Sequence, residues 1–428
     1  MSLLVSPLTA VPIDIDVSDL FLLNIKEPQD GDQFVQELRL SGSSDSIEWF
    51  VGGSYIKEKI DSRYTVEYSD YILTQVLLDD FTFCETSGLT CEEFVAQENF
   101  ASTENKSYAI YGDVAWSIND KLKLTVGARY TQDEKDFTLN QPVPDSALSA
   151  VLGDAFVKLG TDGPVSDDDK WTSFDPRIVL DYALTEDVMF YGSVSSGYKS
   201  GGFNSDPNNT LASGLPQVPA PFDEEKVIAY EAGVKSRFWD GRAQVNAAVY
   251  FNDYEDFQVE AGDLVILIEN AADVESKGFE IDGSFLLTEN FTVMANYSYL
   301  DATFKSGSIE GVDVSGRNLA RAPENTGAIV ASYKLPIGDW GQLSLRGDYI
   351  YTDEFLFDSV NESLKQDSYS IVNGRIALDA TSGLWSVALM GENLGDEEYF
   401  LARSDVLDQN LGIPGMGRLY RAEVTFRF

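Results

Sequence analysis

Over most of this chain apolar and polar residues alternate one by one, and the alternating runs come in pairs. Each pair is joined by a short polar turn and separated from the next by a much longer connection. Runs 33–42 and 47–61 flank Ser43-Ser44-Asp45-Ser46, and runs 106–118 and 121–134 flank Asn119-Asp120. Runs 171–184 and 188–199 flank Thr185-Glu186-Asp187; runs 227–238 and 242–259 flank Trp239-Asp240-Gly241, an Asp-Gly hairpin signal. Three further pairs follow, at 275–287 with 291–303, 325–335 with 341–352, and 368–380 with 385–393. In the closing run, Tyr420, Ala422, Val424, Phe426 and Phe428 fall on one parity, and Arg421, Glu423, Thr425 and Arg427 on the other.

A strand sends successive side chains to opposite faces, so each run is a ribbon with one apolar and one polar side. Seven hairpins and a terminal strand make about 15 strands. Short turns on one edge and long loops on the other give the asymmetry of an outer-membrane barrel, with turns periplasmic and loops outside. A soluble sandwich or propeller does not keep that alternation over seven units. The expected fold is therefore all-β, an antiparallel transmembrane barrel. Its charged side faces the lumen and its apolar side faces outer-membrane lipid. Tyr297, Tyr299, Tyr349, Tyr351, Trp340 and Trp385 fall near strand ends, where interfacial aromatic girdles sit.

Composition removes other classes. No apolar run of about 18 residues occurs, which excludes a spanning helix but not spanning strands. The net charge is −41, from 71 acidic against 30 basic residues, so no nucleic-acid partner is expected. With 43% hydrophobic and 12% aromatic residues the chain is not a solvating tail. Histidine is absent and Cys84 and Cys91 are the only cysteines, which removes His-dependent triads and His/Cys zinc sites. No nucleophile–base constellation is present, and the reading is a non-enzymatic protein with no cofactor.

Several segments carry a more specific signal. Tyr191-Gly192-Ser193-Val194-Ser195-Ser196-Gly197-Tyr198-Lys199-Ser200-Gly201-Gly202-Phe203-Asn204 resembles a strand and following loop of TonB-dependent outer-membrane receptors. Phe222-Asp223-Glu224-Glu225-Lys226 with Tyr230-Glu231-Ala232-Gly233-Val234-Lys235 resembles a strand entry of the same family. Arg321-Ala322-Pro323-Glu324-Asn325, Glu392-Asn393-Leu394-Gly395-Asp396-Glu397-Glu398-Tyr399 and the terminal Phe428 follow in the family's order. The resemblance implies a barrel of about 22 strands closed by an N-terminal plug. It further implies a bacterial outer-membrane location and uptake of a scarce nutrient with energy relayed by the TonB complex. The ligand would be a ferric siderophore or other metal chelate, a cobalamin-like cofactor or an oligosaccharide. A passive porin-like channel is the alternative.

Counting back from the last strand, residue 33 begins at about strand eight of such a barrel. The expectation is that residues 1–32 are a remnant strand or irregular lead-in and 33–428 the C-terminal portion of the barrel. Plug, TonB-contacting segment and first strands would be absent. Residues 1–10 lack the basic and apolar regions of a signal peptide, and 11–17 alternate weakly enough for one more strand.

Candidate residues follow from position and type. Trp171, Tyr198, Phe203, Asn204, Arg317 and Arg321 are candidate ligand contacts, because aromatic and Arg groups supply stacking and anion contacts. The bland reading of each is structural. Gly201-Gly202 lacks P-loop spacing and instead lets a loop fold inward over the lumen. Cys84 and Cys91 can staple a long outer loop as a disulfide, or remain two free thiols. Asp79-Asp80 and Asp167-Asp168-Asp169 could hold a divalent cation, but have no EF-hand spacing and read as solvated. Tyr420, Val424, Phe426 and Phe428 resemble the signal read by the barrel-assembly machinery.

Overall fold

A computed structural model describes residues 23–26, 28–68, 86, 95–140, 142, 163–204, 221–261, 267–406 and 409–428. Within them lie fifteen long strands. The first hairpin is β1 (Gln29–Ser43) and β2 (Ile47–Tyr68), the second β3 (Val95–Asn119) and β4 (Leu122–Asn140), the third β5 (Val165–Ala183) and β6 (Val188–Lys199). Next come β7 (Glu225–Phe238) with β8 (Ala243–Ala261), and β9 (Leu267–Thr288) with β10 (Phe291–Ile309). The series ends with β11 (Asn325–Ile337) and β12 (Gly341–Thr352), β13 (Tyr369–Ala380) and β14 (Trp385–Glu392), then β15 (Leu419–Phe426).

Each long strand pairs antiparallel with the next in chain order, so the sheet is an uninterrupted meander. All seven expected hairpins and the terminal strand are present. Leu23–Lys26 extends the β1 edge, pairing with Thr65–Tyr68 of β2. Among the described residues β1 and β15 each have a single long-strand neighbour. The Asp-Gly turn behaves as its sequence dictates: Trp239, Asp240 and Gly241 all take positive φ, at 54°, 54° and 81°.

Register aligns the apolar parity of every strand into one face. Val194 stands opposite Tyr230, which stands opposite Phe251; Val249 opposite Phe279, and Phe279 opposite Tyr299. At the far end Ile376 meets Leu389 and Val387 meets Val424. Many of these side chains are bare, including Leu38 at 78% exposure and Tyr420 at 69%. In water such a continuous apolar face would far exceed the few hundred Å² a soluble monomer tolerates; against lipid it is the required surface. The other face carries Glu37, Arg39, Tyr111, Asp113, Arg129 and Arg177, linked by Tyr111 donating to Glu37 and by Arg177 to Asp113 at 3.4 Å.

The strands run further than the sequence pattern predicts. The run expected at 47–61 continues to Tyr68, and the run expected at 106–118 begins at Val95. A span needs about 9–11 strand residues, so the loop-side halves stand clear of the membrane. There the outward face no longer meets lipid and strict apolar alternation is not demanded, so the period fades although the ladder persists. The lipid edge is marked by a charge ladder on the outward face: Lys57–Glu104 at 3.0 Å, Lys106–Glu104 at 2.9 Å and Lys106–Asp136 at 3.2 Å. A short extra hairpin in the last loop, Phe400–Val406 with Gln409–Pro414, was not expected from the sequence. Residues 11–17, Cys84, Cys91 and Asp79-Asp80 lie outside the described residues.

Candidate ligand site at the loop end

Above the membrane the polar parity of β4 turns apolar. Phe137 and Leu139 share the parity of Arg129 and Asp133, yet both are buried, with Ala101 of β3 beside them. Trp171 of β5, 4% exposed, lies on the same side. Residues 200–204 then fold inward onto this patch. Phe203 stacks on Phe137 with ring centroids 5.6 Å apart and meets Trp171 edge to face at 6.2 Å. The inward fold expected of Gly201-Gly202 is present, and it requires glycine. A Cβ on Gly201 would overlap the Phe222 carbonyl and the Trp171 indole, and one on Gly202 would strike the Phe222 ring at 2.7 Å. Gly202–Phe203 and Pro221–Phe222 form a two-residue antiparallel bridge at the neck of the loop.

Polar side chains fasten that neck. Lys135 Nζ donates to the Gly201 carbonyl and sits 5.5 Å from the centre of the Trp171 ring. Burial holds the Lys135 ammonium below the usual lysine range, an effect partly offset by Asp133; this residue stands beyond the spanning part of β4. The Tyr198 hydroxyl donates to Asp133. Gln258 Nε2 donates to the carbonyls of Ser200, at 3.1 Å, and Asp223, at 2.9 Å, and so holds both ends of the loop. Asn270 Nδ2 donates to Asp223 O and Asp256 O, and Asn270 Oδ1 accepts from Asp223 N.

Thus Trp171, Tyr198, Phe203 and Asn204 come together on one side of the mouth. Arg317 and Arg321 belong to a second constellation. Arg317 Nη1 donates to Val360 O at 3.0 Å and Ser359 O at 3.4 Å, and pairs with Glu362 at 3.6 Å. It thereby laces the loop after β10 to the loop after β12, above a buried cluster of Ala261, Ala272, Val274, Phe304, Ile309 and Val314. Arg321 is exposed, with φ of +57°, and its backbone N–H donates to Leu356 O. β9 joins the two constellations, receiving Asn204 at Ile268 and contributing Ala272 and Val274 to the buried cluster.

Asp167 and Asp169 accept the neighbouring backbone N–H groups, and no group of acidic, His or Cys residues able to hold a metal occurs among the described residues. Gln258, Asn270 and Lys135 were not nominated from sequence, since a lone amide or lysine in a strand carries no signal. Phe137 and Leu139 did carry one: two apolar residues in succession on a polar parity.

A meander of this length, apolar outward and charged inward, with short turns at one end and long loops at the other, is the wall of an outer-membrane β-barrel. The chain belongs to the TonB dependent receptor-like, beta-barrel family, whose match covers residues 19–394, and its place is the bacterial outer membrane. It is similar to the pesticin receptor of Yersinia pestis, 23% identical over 383 residues, covering 88% of this chain and 49% of that receptor. Its fold is similar to that of the ferric yersiniabactin uptake receptor FyuA from Yersinia pestis, with a TM-score of 0.73 at 18% identity, over 95% of this chain and 55% of that one. The siderophore receptor PiuA from Acinetobacter baumannii is similar at a TM-score of 0.68 and 17% identity, over 94% and 57%. The chain spans about half the length of the curated relatives it matches.

Proposed function

We propose that this protein takes up a metal chelate of the ferric-siderophore class across the outer membrane, with energy supplied through TonB. The observation that carries the reading is the fastened loop neck over the inward face at the mouth, in a chain of this family. Aromatic residues fastened over the inward face at the mouth give a receptor a surface there that recognises a bulky solute. The named relatives, a ferric yersiniabactin uptake receptor and a siderophore receptor among them, support the same ligand class.

In this reading 33–428 is barrel and the ligand meets the inward face from the loop side. Arg321 is the candidate contact best placed for an anionic chelate, because its exposed guanidinium stands on a backbone pinned at Leu356. Trp171, Tyr198, Phe203, Asn204 and Arg317 act on the ligand through the loops they hold. The apolar row Tyr420, Val424, Phe426 and Phe428 serves as the assembly signal. The test is binding of ferric chelates to the full-length receptor carrying Arg321→Ala. A loss of affinity of about 1–3 kcal/mol is expected for a lost charged contact; unchanged binding of every chelate that the parent binds refutes the assignment.

A further inference from the structure

The wall has a seam. β5 pairs with β4 throughout, from Leu122↔Tyr182 to Leu139↔Val165, and β6 pairs with β7 as far as Lys199↔Glu225. Between β5 and β6 the ladder covers only Arg177↔Ser195 to Ala183↔Met189. The next residue of β5 is Pro176, which keeps its place opposite Ala128 of β4. Proline has no N–H to give, so a ladder on the side its nitrogen faces stops there. A cavity of about 340 Å³ occupies the gap, lined by Ser173, Phe174, Asp175, Ser196, Gly197 and Lys226 among others. A span takes about 9–11 strand residues, so the seam opens at the outer edge of the membrane and runs to the mouth.

What crosses the seam is side chain rather than ladder, and it comes from residues 196–203. Ser196 Oγ reaches Asp175 Oδ1 at 3.4 Å, Tyr198 reaches Asp133, Gly201 receives Lys135, and Phe203 fills the space between Phe137 and Trp171. On the near side β2 to β5 are tied to one another by long continuous ladders, with β1 carried along on β2. On the far side Ser200, Asn204 and Asp223 are anchored to β8 and β9 through Gln258, Ile268 and Asn270. On its β6 side, and among the described residues, this stiff blade is therefore joined to the wall above Pro176 through the two ring contacts of Phe203 and a few hydrogen bonds.

We infer that the loop-side halves of β2 to β5 form a blade that swings as a unit about the Pro176–Arg177 level, with Phe203 as its latch. Withdrawing Phe203 uncovers Trp171 and Phe137 and opens the mouth sideways, admitting a solute too bulky for the closed rim. Local opening follows the points of fewest buried contacts and shared hydrogen bonds, and the seam is such a point. The inference concerns the wall and stands whether or not the uptake reading does.

The test uses the full-length receptor in outer-membrane vesicles, with Cys84 and Cys91 replaced by Ser. A single cysteine is placed at Ser173, beside the seam, or at Thr125, below the hinge level. Both positions are buried in the parent. Labelling by a membrane-impermeant maleimide is timed with Phe203 intact, in Phe203→Ala and in Phe203→Leu. The expected result is an increase of about tenfold or more at Ser173→Cys in Phe203→Ala, no change at Thr125→Cys, and return toward the parent rate in Phe203→Leu. Trp171→Ala, which removes the other side of the same contact, should reproduce the effect. Equal rates at Ser173→Cys with and without Phe203 overturn the latch. Rates that rise together at both positions overturn the hinge, since the whole sheet would then have loosened.

Discussion

Asn204 and Ile268 exchange two hydrogen bonds: Asn204 Oδ1 accepts the Ile268 N–H at 2.7 Å, and Asn204 Nδ2 donates to the Ile268 carbonyl at 3.1 Å. The amide thus satisfies the backbone of β9 at its first rungs as a neighbouring strand would. Because Asn204 is buried, Asn204→Ala leaves both Ile268 groups without their partner, at a cost of about 1–3 kcal/mol. Hydrogen exchange at Ile268 in the full-length receptor should accelerate by about tenfold or more, while amides of β12 and β13 keep their protection.

Gly201→Ala tests whether the neck needs close backbone approach. The added methyl meets the Phe222 carbonyl and the Trp171 indole, and the indole cannot retreat without disturbing its edge-to-face contact with Phe203. Overpacking of this kind costs about 1–3 kcal/mol. The expected outcome is a lower unfolding midpoint and greater iodide quenching of Trp171 fluorescence. A variant with parental values of both would show that the neck yields.

Asn393 is the hook of the last loop. Its side chain donates to Glu397 O at 2.8 Å and Met416 O at 3.1 Å and accepts from Glu397 N at 2.8 Å, all from a residue 4% exposed. The backbone takes φ of +46°, a region that Asn enters more readily than Ala. Leu394, next in the chain, lies against Gly374 and Gly391. Asn393→Ala should destabilise by about 2–4 kcal/mol, and Asn393→Gly by less, since it relieves the backbone and loses only the amide. Thermal unfolding in detergent reads the difference.

Acid should release the loop after β12. The Asn325 amide, donating to Asp353 Oδ2 at 2.6 Å, holds that carboxyl below its ordinary value of about 3.8, with the Glu354 N–H and the Tyr351 hydroxyl adding to it. A depressed folded value means the contribution is fully present above about 3.8 and is lost as pH falls through the lower, folded value. Pepsin cleavage at Phe355–Leu356 should therefore begin only below about pH 3.8. In Asp353→Asn, which has no carboxyl to protonate, this pH step should be absent.

Much of this was legible in the sequence, because a wall between lipid and water forces period-two alternation and because Asp-Gly at 240–241 and Asn119-Asp120 mark tight turns. All seven hairpins follow from those signals. The loop-side halves of β2 and β3 were not legible, since a ladder whose outward face no longer meets lipid imposes no strict apolar period. The site was half legible. Trp171, Tyr198, Phe203 and Asn204 were nominated by type and do meet, but their polar atoms and ring faces are taken up by Asp133, Ile268 and Phe137. The residues that place them, Gln258 and Asn270, sit on strands at positions where any polar side chain fits the pattern. Only register, which no single strand encodes, brings Gln258 under both ends of the loop.

Energised uptake of a metal chelate by this barrel is read from the entry of radiolabelled ferric chelates into iron-starved cells that carry the intact gene, lack it, or lack TonB. Accumulation of at least one chelate should require both the gene and TonB. Accumulation that depends on the gene but is indifferent to TonB, and that falls smoothly with solute size, would instead make the protein a passive channel.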